Sequence, residues 1–307
     1  MTAKSCIFVI QPQRMIFHKN SRVADYFSLV KISHTVFSLP FALIGFSLAI
    51  HETKDPQYLR LLILVLLCVF FARNAAMGFN RFADREIDRK NPRTALREIP
   101  KEIIWPGSAL LFVLLNAILF VTTAYFINLL CFFLSPIALM VVLGYSFTKR
   151  FTFLSHVVLG LGLSLAPIGA YLAVTGHFAV LPILYSVIVI FWVAGFDIIY
   201  ALQDVDFDKN EKLRSIPESF GNRKALAVSA LFHVIAIALV ICAGLLGNFH
   251  FFYWIGAAIF SSILIYEHLI VKPSDLSRVN LAFATLNGMG SVVFASFVIL
   301  DIFIRLY

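Results

Sequence analysis

Charged side chains are scarce in this sequence. Asp, Glu, Lys and Arg together make up 14% of its 307 residues, where a soluble domain carries about 25%. That shortage excludes an ordinary water-soluble globule. Cysteine is scarce too: Cys6, Cys68, Cys131 and Cys242 lie far apart, with no C-x-x-C pair and no Cys/His cluster. The pattern excludes a disulfide framework and a zinc knuckle, and the thiols read as small apolar packing groups. The N-terminus lacks the features of a cleavable signal peptide. Lys4, Arg14, Lys19 and Arg22 surround only a short apolar stretch, and no small-residue cleavage site follows. Acidic residues number 17 against 25 basic ones, a formal net charge of +8. The basic residues sit in short loops between apolar runs, so they argue for membrane orientation and against nucleic acid as a partner.

What the chain has in abundance is apolar surface. Hydrophobic residues make up 60% of it, Phe alone occurs 32 times, and the mean hydropathy is +0.89. This composition predicts an all-α polytopic membrane protein forming one membrane-embedded domain over residues 1–307. A spanning helix needs about 20 mostly apolar residues. Nine stretches qualify: 27–50, 61–82, 104–127, 129–147, 154–174, 181–203, 223–246, 249–270 and 280–305. The third and fourth run together, and Asn128 is the expected break, with Pro136 a second candidate. Pro40 and Pro167 fall inside other spans and are expected to kink them.

Under that count, 21 Lys and Arg residues fall on one face and three (Lys54, Arg60 and Arg305) on the other, with Arg73 inside a span. Basic loops stay in the cytoplasm, so the N-terminus is expected inside and the C-terminus outside. The membrane is expected to be the inner (cytoplasmic) membrane of a bacterial-type cell.

Two acidic clusters stand at the cytoplasmic ends of the second and sixth spans. The first reads "NRFADREID", with Asn80, Asp84 and Asp88; the second reads "DIIYALQDVDFDKN", with Asp197, Asp204, Asp206 and Asp208. Asp84 and Asp204 are separated by four helix-plus-loop units, a weak internal repeat. Two four-helix pseudo-repeats plus one helix would set the clusters opposite each other. Residues four apart share a helix face, so Asn80, Asp84 and Asp88 form one polar stripe, and Asp204 and Asp208 another. Paired carboxylates are hard oxygen ligands suited to Mg²⁺, which usually bridges them to substrate phosphates. Arg73, Arg81, Arg85, Arg89, Lys90 and Arg93 interleave with them and suit the outer oxygens of a diphosphate. Charges at a cytosolic helix end are by default only solvated, and that is the default reading for Glu86, Arg89, Lys90, Glu98, Lys101, Glu102, Lys209 and Glu211. Arg73 lies deeper, among apolar neighbours, where an arginine costs about 2.5–3.5 kcal/mol to insert, so it is expected to face a cavity and a partner. Asp197 and Tyr200 are further buried polar candidates. His34, His156 and His233 read as packing residues.

The stretch "RNAAMGFNRFADREIDRKNPRT", followed four helices later by "IIYALQDVDFD", resembles the UbiA superfamily of intramembrane aromatic prenyltransferases, whose motifs are N-x-x-x-D-x-x-x-D and D-x-x-x-D. "KISHTVFSLPFAL" and "GYSFTKRFTFLSH" resemble the branch acting on 4-hydroxybenzoate and related quinone precursors. The loop "KNEKLRSIPESFG" is less rich in Gly and Lys than in many relatives. The resemblance covers nearly the whole chain. It implies nine transmembrane helices around a central cavity, capped by cytoplasmic loops at about 83–103 and 204–224. A side opening to the bilayer would admit a polyprenyl tail. It implies Mg²⁺ as cofactor, held by Asp84, Asp88, Asp204 and Asp208, a polyprenyl diphosphate as donor, and an aromatic acceptor such as 4-hydroxybenzoate. By matching position, Asn80 and Arg73 would contact the diphosphate or the metals' water shell. Lys149 and Arg150 would contact the diphosphate or the acceptor's carboxylate, and Tyr145 and Tyr200 would face a developing cation. The rival readings are prenyl transfer to naphthoate, homogentisate or haem, and a cation or lipid transporter.

Overall fold

The computed structural model describes residues 23–304. The basic residues at Lys4, Arg14, Lys19 and Arg22, the signal-peptide question and Arg305 lie outside the described residues, as does the side chain of His34. Among the described residues there is no strand, only an isolated bridge between Lys272 and Asp275. The helices are α1 (Val23–Leu29), α2 (Leu39–Thr53), α3 (Tyr58–Ala83), α4 (Arg85–Lys90), α5 (Pro106–Ile127), α6 (Leu129–Thr148) and α7 (Ser155–Thr175). They continue as α8 (Val180–Ala201), α9 (Val205–Asn210), α10 (Ile216–Phe220), α11 (Asn222–Leu246), α12 (Phe251–Ile270) and α13 (Asn287–Ile304), with a π-helical segment at Leu281–Leu286 leading into the last.

Eight of these helices are long and apolar enough to cross a membrane. Their ends fall within three residues of the ranges expected from hydropathy when α8 is taken without α9 and the π-helical segment is counted with α13. Asn128 makes the break between α5 and α6: it caps α6, its side chain accepting the Cys131 N–H at 2.8 Å, so the carboxamide replaces the missing helical partner. The first expected span, 27–50, is a correction. α1 stops at Leu29, Lys31 adopts a left-handed conformation (φ 48°), Ile32–Phe37 form a 3₁₀ turn, and only Leu39–Thr53 is α-helical. The physical reason lies in the polar run Lys31, Ser33, His34 and Thr35, which a lipid-facing helix cannot carry cheaply. Pro40 therefore does not kink a helix. It lies in the first turn of α2, where its missing N–H has no helical acceptor to lose. Pro167 does lie inside α7.

Between helices in lipid, association depends on close van der Waals packing, which small residues permit. A Cβ added at Gly45 would lie 2.0 Å from the Pro167 carbonyl oxygen, and one at Gly160 2.5 Å from that of Ile190. Glycine at these positions thus brings α2 onto α7 and α7 onto α8. The largest core cluster gathers around the buried Trp192, with Phe37, Phe41, Phe196, Phe260 and Phe294. Its indole N–H finds a buried acceptor, Asn287 Oδ1, at 2.6 Å. Next to this core, α3, α6, α7 and α8 enclose a cavity of about 650 Å³, and Phe37, Val193 and Phe196 face both. It runs from the acidic clusters to Ile127 and Phe178, at the opposite ends of the bundle's helices.

Candidate active site

The four-residue spacing predicts acidic residues on continuous helices, and the structure instead breaks both helices at them. α3 ends at Ala83 and α4 begins at Arg85, with Asp84 between them at φ −93°, ψ 3°. α8 ends at Ala201, and a 3₁₀ turn over Leu202–Asp204 precedes α9. The four-residue relation survives the break. Asp84 N–H donates to the Asn80 carbonyl at 3.0 Å, and Asp88 N–H to that of Asp84 at 2.7 Å. Asn80, Asp84, Asp88, Asp204 and Asp208 all line the one cavity.

Each carboxylate meets a donor there. Asp84 is approached by Lys149 Nζ at 2.5 Å and Arg150 Nη2 at 3.4 Å, and takes a hydrogen bond from Asn80 Nδ2 at 3.2 Å. Arg97 Nη1 reaches both Asp88 oxygens, at 2.7 and 2.8 Å. Arg93 contacts Asp204 through Nη2 and, at 3.0 Å, through Nε, and Asn91 Nδ2 donates to the same carboxylate at 3.0 Å. Asp208 accepts from Ser215 Oγ at 3.1 Å. Burial of Arg93 works against its charge, but the Asp204 hydrogen bond and the nearby Tyr200 oxygen hold the guanidinium above its ordinary range. The first cap loop thereby clasps the second, and Lys90 adds an ion pair to Glu211 at 2.6 Å.

Among the described residues no three Asp, Glu, His or Cys side chains converge as a ready-made metal cage. The donor set fits Mg²⁺ in another way. Two pairs of hard carboxylate oxygens line one cavity mouth, and this ion commonly binds through one or two carboxylates while sharing substrate phosphates.

Of the other expected residues, Lys149, Tyr145, Tyr200 and Arg73 also line the cavity. Arg150 does not; it braces Asp84 from behind, donating to the Ala83 carbonyl at 2.7 Å and lying over the Phe147 ring. The Tyr200 ring stacks on Phe283 with centroids 4.1 Å apart, and the Arg93 guanidinium lies over the Tyr200 ring 4.9 Å from its centroid and donates to its hydroxyl at 2.5 Å, so both faces of that ring are occupied. Arg73 sends its two terminal nitrogens to the carbonyls of Val30 and Lys31, at 3.0 and 2.7 Å, so it ties the end of α1 to α3. Arg85, Arg89 and Lys90 turn away from the cavity toward Phe82, Glu86 and Glu211. Arg89 and Lys90 are exposed partners of Glu86 and Glu211, in line with their default reading as solvated charges, whereas for Arg85 this corrects its grouping with the diphosphate cations. Arg81 is buried and lines the cavity.

Three residues escaped the sequence reading. Arg97 and Ser215 have no motif, since each is defined by a carboxylate reached only through loop folding. His156 read as a packing residue, yet it lines the cavity with its Nδ1 2.7 Å from Asp197 Oδ2.

A model of the UbiA prenyltransferase family matches residues 38–292. The chain belongs to this family. It is therefore an integral membrane prenyltransferase. Among its relatives, 4-hydroxybenzoate octaprenyltransferase of Marinobacter nauticus is 28% identical over 90% of this chain and 94% of its own length. The protein of the same name from Francisella tularensis subsp. mediasiatica is 27% identical over 88% and 94%. The apo structure of a UbiA homolog from Aeropyrum pernix K1 superimposes with a TM-score of 0.80 at 33% identity, covering 88% of this chain and 98% of that one. A UbiA homolog from Archaeoglobus fulgidus, solved with GPP and Mg²⁺, shares the fold at TM-score 0.68 and 22% identity, over 91% of this chain and 99% of its own.

Proposed function

We propose that this UbiA prenyltransferase transfers a polyprenyl group from an isoprenoid diphosphate to 4-hydroxybenzoate or a closely related aromatic quinone precursor. The observation that carries the reading is the form of the cavity: carboxylates and cations crowd one end, and the rest is an apolar passage through the helix bundle. A polyprenyl diphosphate has the same division. Relatives that the chain covers almost end to end bear the name 4-hydroxybenzoate octaprenyltransferase, and a structural neighbour was solved with a prenyl diphosphate and Mg²⁺.

Asp84, Asp88, Asp204 and Asp208 would hold Mg²⁺, which supplies charge neutralisation for the departing diphosphate. Lys149, Arg93 and Arg97, paired with Asp84, Asp204 and Asp88 at the cavity mouth, add preorganised positive charge where negative charge develops. As the allylic C–O bond breaks, the diphosphate takes the electron pair and the prenyl carbon becomes cationic. The π face of Tyr145 stabilises that cation, and the clasped cap loops exclude water that would trap it. The acceptor ring attacks through the carbon ortho to its hydroxyl. We place these loops and the N-terminus on the cytoplasmic side of the inner membrane, from the distribution of basic residues.

The test is purified protein with Mg²⁺, a radiolabelled prenyl diphosphate and a panel of 4-hydroxybenzoate, dihydroxynaphthoate, homogentisate and haem. Product with 4-hydroxybenzoate at a kcat/KM at least tenfold above the others is expected. Preference for another acceptor would replace the substrate, and cation flux into vesicles without prenyl transfer would favour a transporter.

A further inference from the structure

The reaction requires a group that takes a proton from the acceptor ring. We propose that Asp197 is this base and that His156 is its positioning residue; the inference rests on the prenyl-transfer reading above. Asp197 lies on α8 seven residues before Asp204, which follows that helix in a 3₁₀ turn, so it sits about 10 Å deeper than the acidic mouth. That is the layer an acceptor ring must occupy if the diphosphate is held at the mouth, because the reacting prenyl carbon is bonded directly to the diphosphate oxygen. Both Asp197 and His156 line the cavity.

The hydrogen bonds assign the roles. Ile216 N–H points to His156 Nε2 at 3.4 Å, which makes Nε2 the acceptor. The ring proton of His156 is then on Nδ1 and is donated to Asp197 Oδ2 at 2.7 Å. His156 has no basic nitrogen left, and its side chain is only 4% exposed, whereas that of Asp197 is 22% exposed. Asp197 Oδ1 takes no hydrogen bond from any described residue, and it is the free lone-pair site of the dyad. The imidazole therefore orients the carboxylate, as a carboxylate more often orients an imidazole.

His156 also connects the base to the mouth. Ile216 follows Ser215, whose hydroxyl donates to Asp208. One short cap segment thus holds a mouth carboxylate through Ser215 and the dyad through Ile216, so docking of the cap and alignment of the base are one event. In the step itself, the ring carbon forms the new C–C bond to the allylic cation left when the C–O bond broke and the diphosphate took its electron pair. The ring C–H bond then breaks, its electron pair restores aromaticity, and the proton passes to Asp197 Oδ1. The neutral acid returns the proton to solvent as diphosphate leaves.

The experiment compares wild type, Asp197→Asn, His156→Ala and His156→Asn using acceptor with hydrogen or deuterium at the ring carbons ortho to the hydroxyl. Wild-type turnover establishes the reaction, so its absence would refute the reading of function and not the role of Asp197. Asp197→Asn keeps the shape and still accepts from His156. It is expected to lower kcat by about 10²–10⁴-fold, leave Mg²⁺-dependent binding of a non-hydrolysable donor analogue within twofold, and raise the isotope effect well above that of wild type. His156→Ala is expected to lose about 10-fold in kcat, and His156→Asn, whose amide still donates to Asp197, to recover part of it. Turnover of Asp197→Asn within twofold of wild type, an unchanged isotope effect, or a loss of donor-analogue binding as large as the loss of kcat would each overturn the assignment. Equal losses for the two His156 variants would overturn the positioning role.

Discussion

Substituting Arg97 with Met isolates what the mouth cations do before donor arrives. Arg97 reaches both oxygens of Asp88 at 2.7 and 2.8 Å, and the Asp88 side chain is 6% exposed while that of Arg97 is 23% exposed. Breaking a fully buried pair costs about 3–5 kcal/mol because a charge is left uncompensated. The partial exposure of Arg97 reduces this to about 2–3 kcal/mol for Arg97→Met. At roughly 2–4 °C per kcal/mol for chains of 150–250 residues, the melting temperature in detergent should fall by about 4–12 °C. The methionine stem retains much of the packing, so the loss reports charge. Metal and a prenyl diphosphate analogue, which offer Asp88 another cation, should raise the melting temperature of Arg97→Met more than that of wild type. Nano-scale differential scanning fluorimetry with and without Mg²⁺ and analogue measures both effects. An unchanged apo melting temperature, or an equal rise in the two proteins, would show that Arg97 does not neutralise a carboxylate that later serves the metal and diphosphate.

Asp84→Ala and Asp204→Ala are each expected to abolish prenyl transfer while the protein inserts and purifies; near wild-type turnover at saturating Mg²⁺ in either would remove that residue from the metal site. Arg73→Lys loses the planar fork that holds two carbonyls. A severalfold rise in donor KM with acceptor KM unchanged is expected if Arg73 also serves the diphosphate, and a lower melting temperature with unchanged donor KM and turnover would assign it to bracing alone. Labelling of Lys54→Cys and Tyr307→Cys by an impermeant thiol reagent, in a background lacking the four native cysteines, is expected from outside only; labelling of both solely from the cytoplasmic side would refute the proposed orientation.

Eight spanning helices and the break at Asn128 were legible in the sequence, because a lipid-facing helix must be apolar along its whole length and any interruption shows. The pairing of Asn80, Asp84 and Asp88 was legible for a related reason: hydrogen bonds from residue to residue four apart carry that spacing even through the break at Asp84. The first span was misjudged because mean hydropathy passes over a polar run such as Lys31–Thr35, whereas a backbone cannot. The partners of the acids were a different matter. Arg97 turns to Asp88 and Arg93 to Asp204 while Arg85 and Arg89, with the same charge and similar spacing, turn away. Which arginine faces the cavity depends on how the cap loop folds after α4, and no periodicity governs a loop. His156 and Asp197 are 41 residues apart and belong to different helices. Hydropathy and helical period describe one helix at a time, so they determine which residues reach the membrane and at what depth. Only the packing of α7 against α8 brings that imidazole to that carboxylate, since contact between helices depends on their relative rotation and close approach, to which both helices contribute.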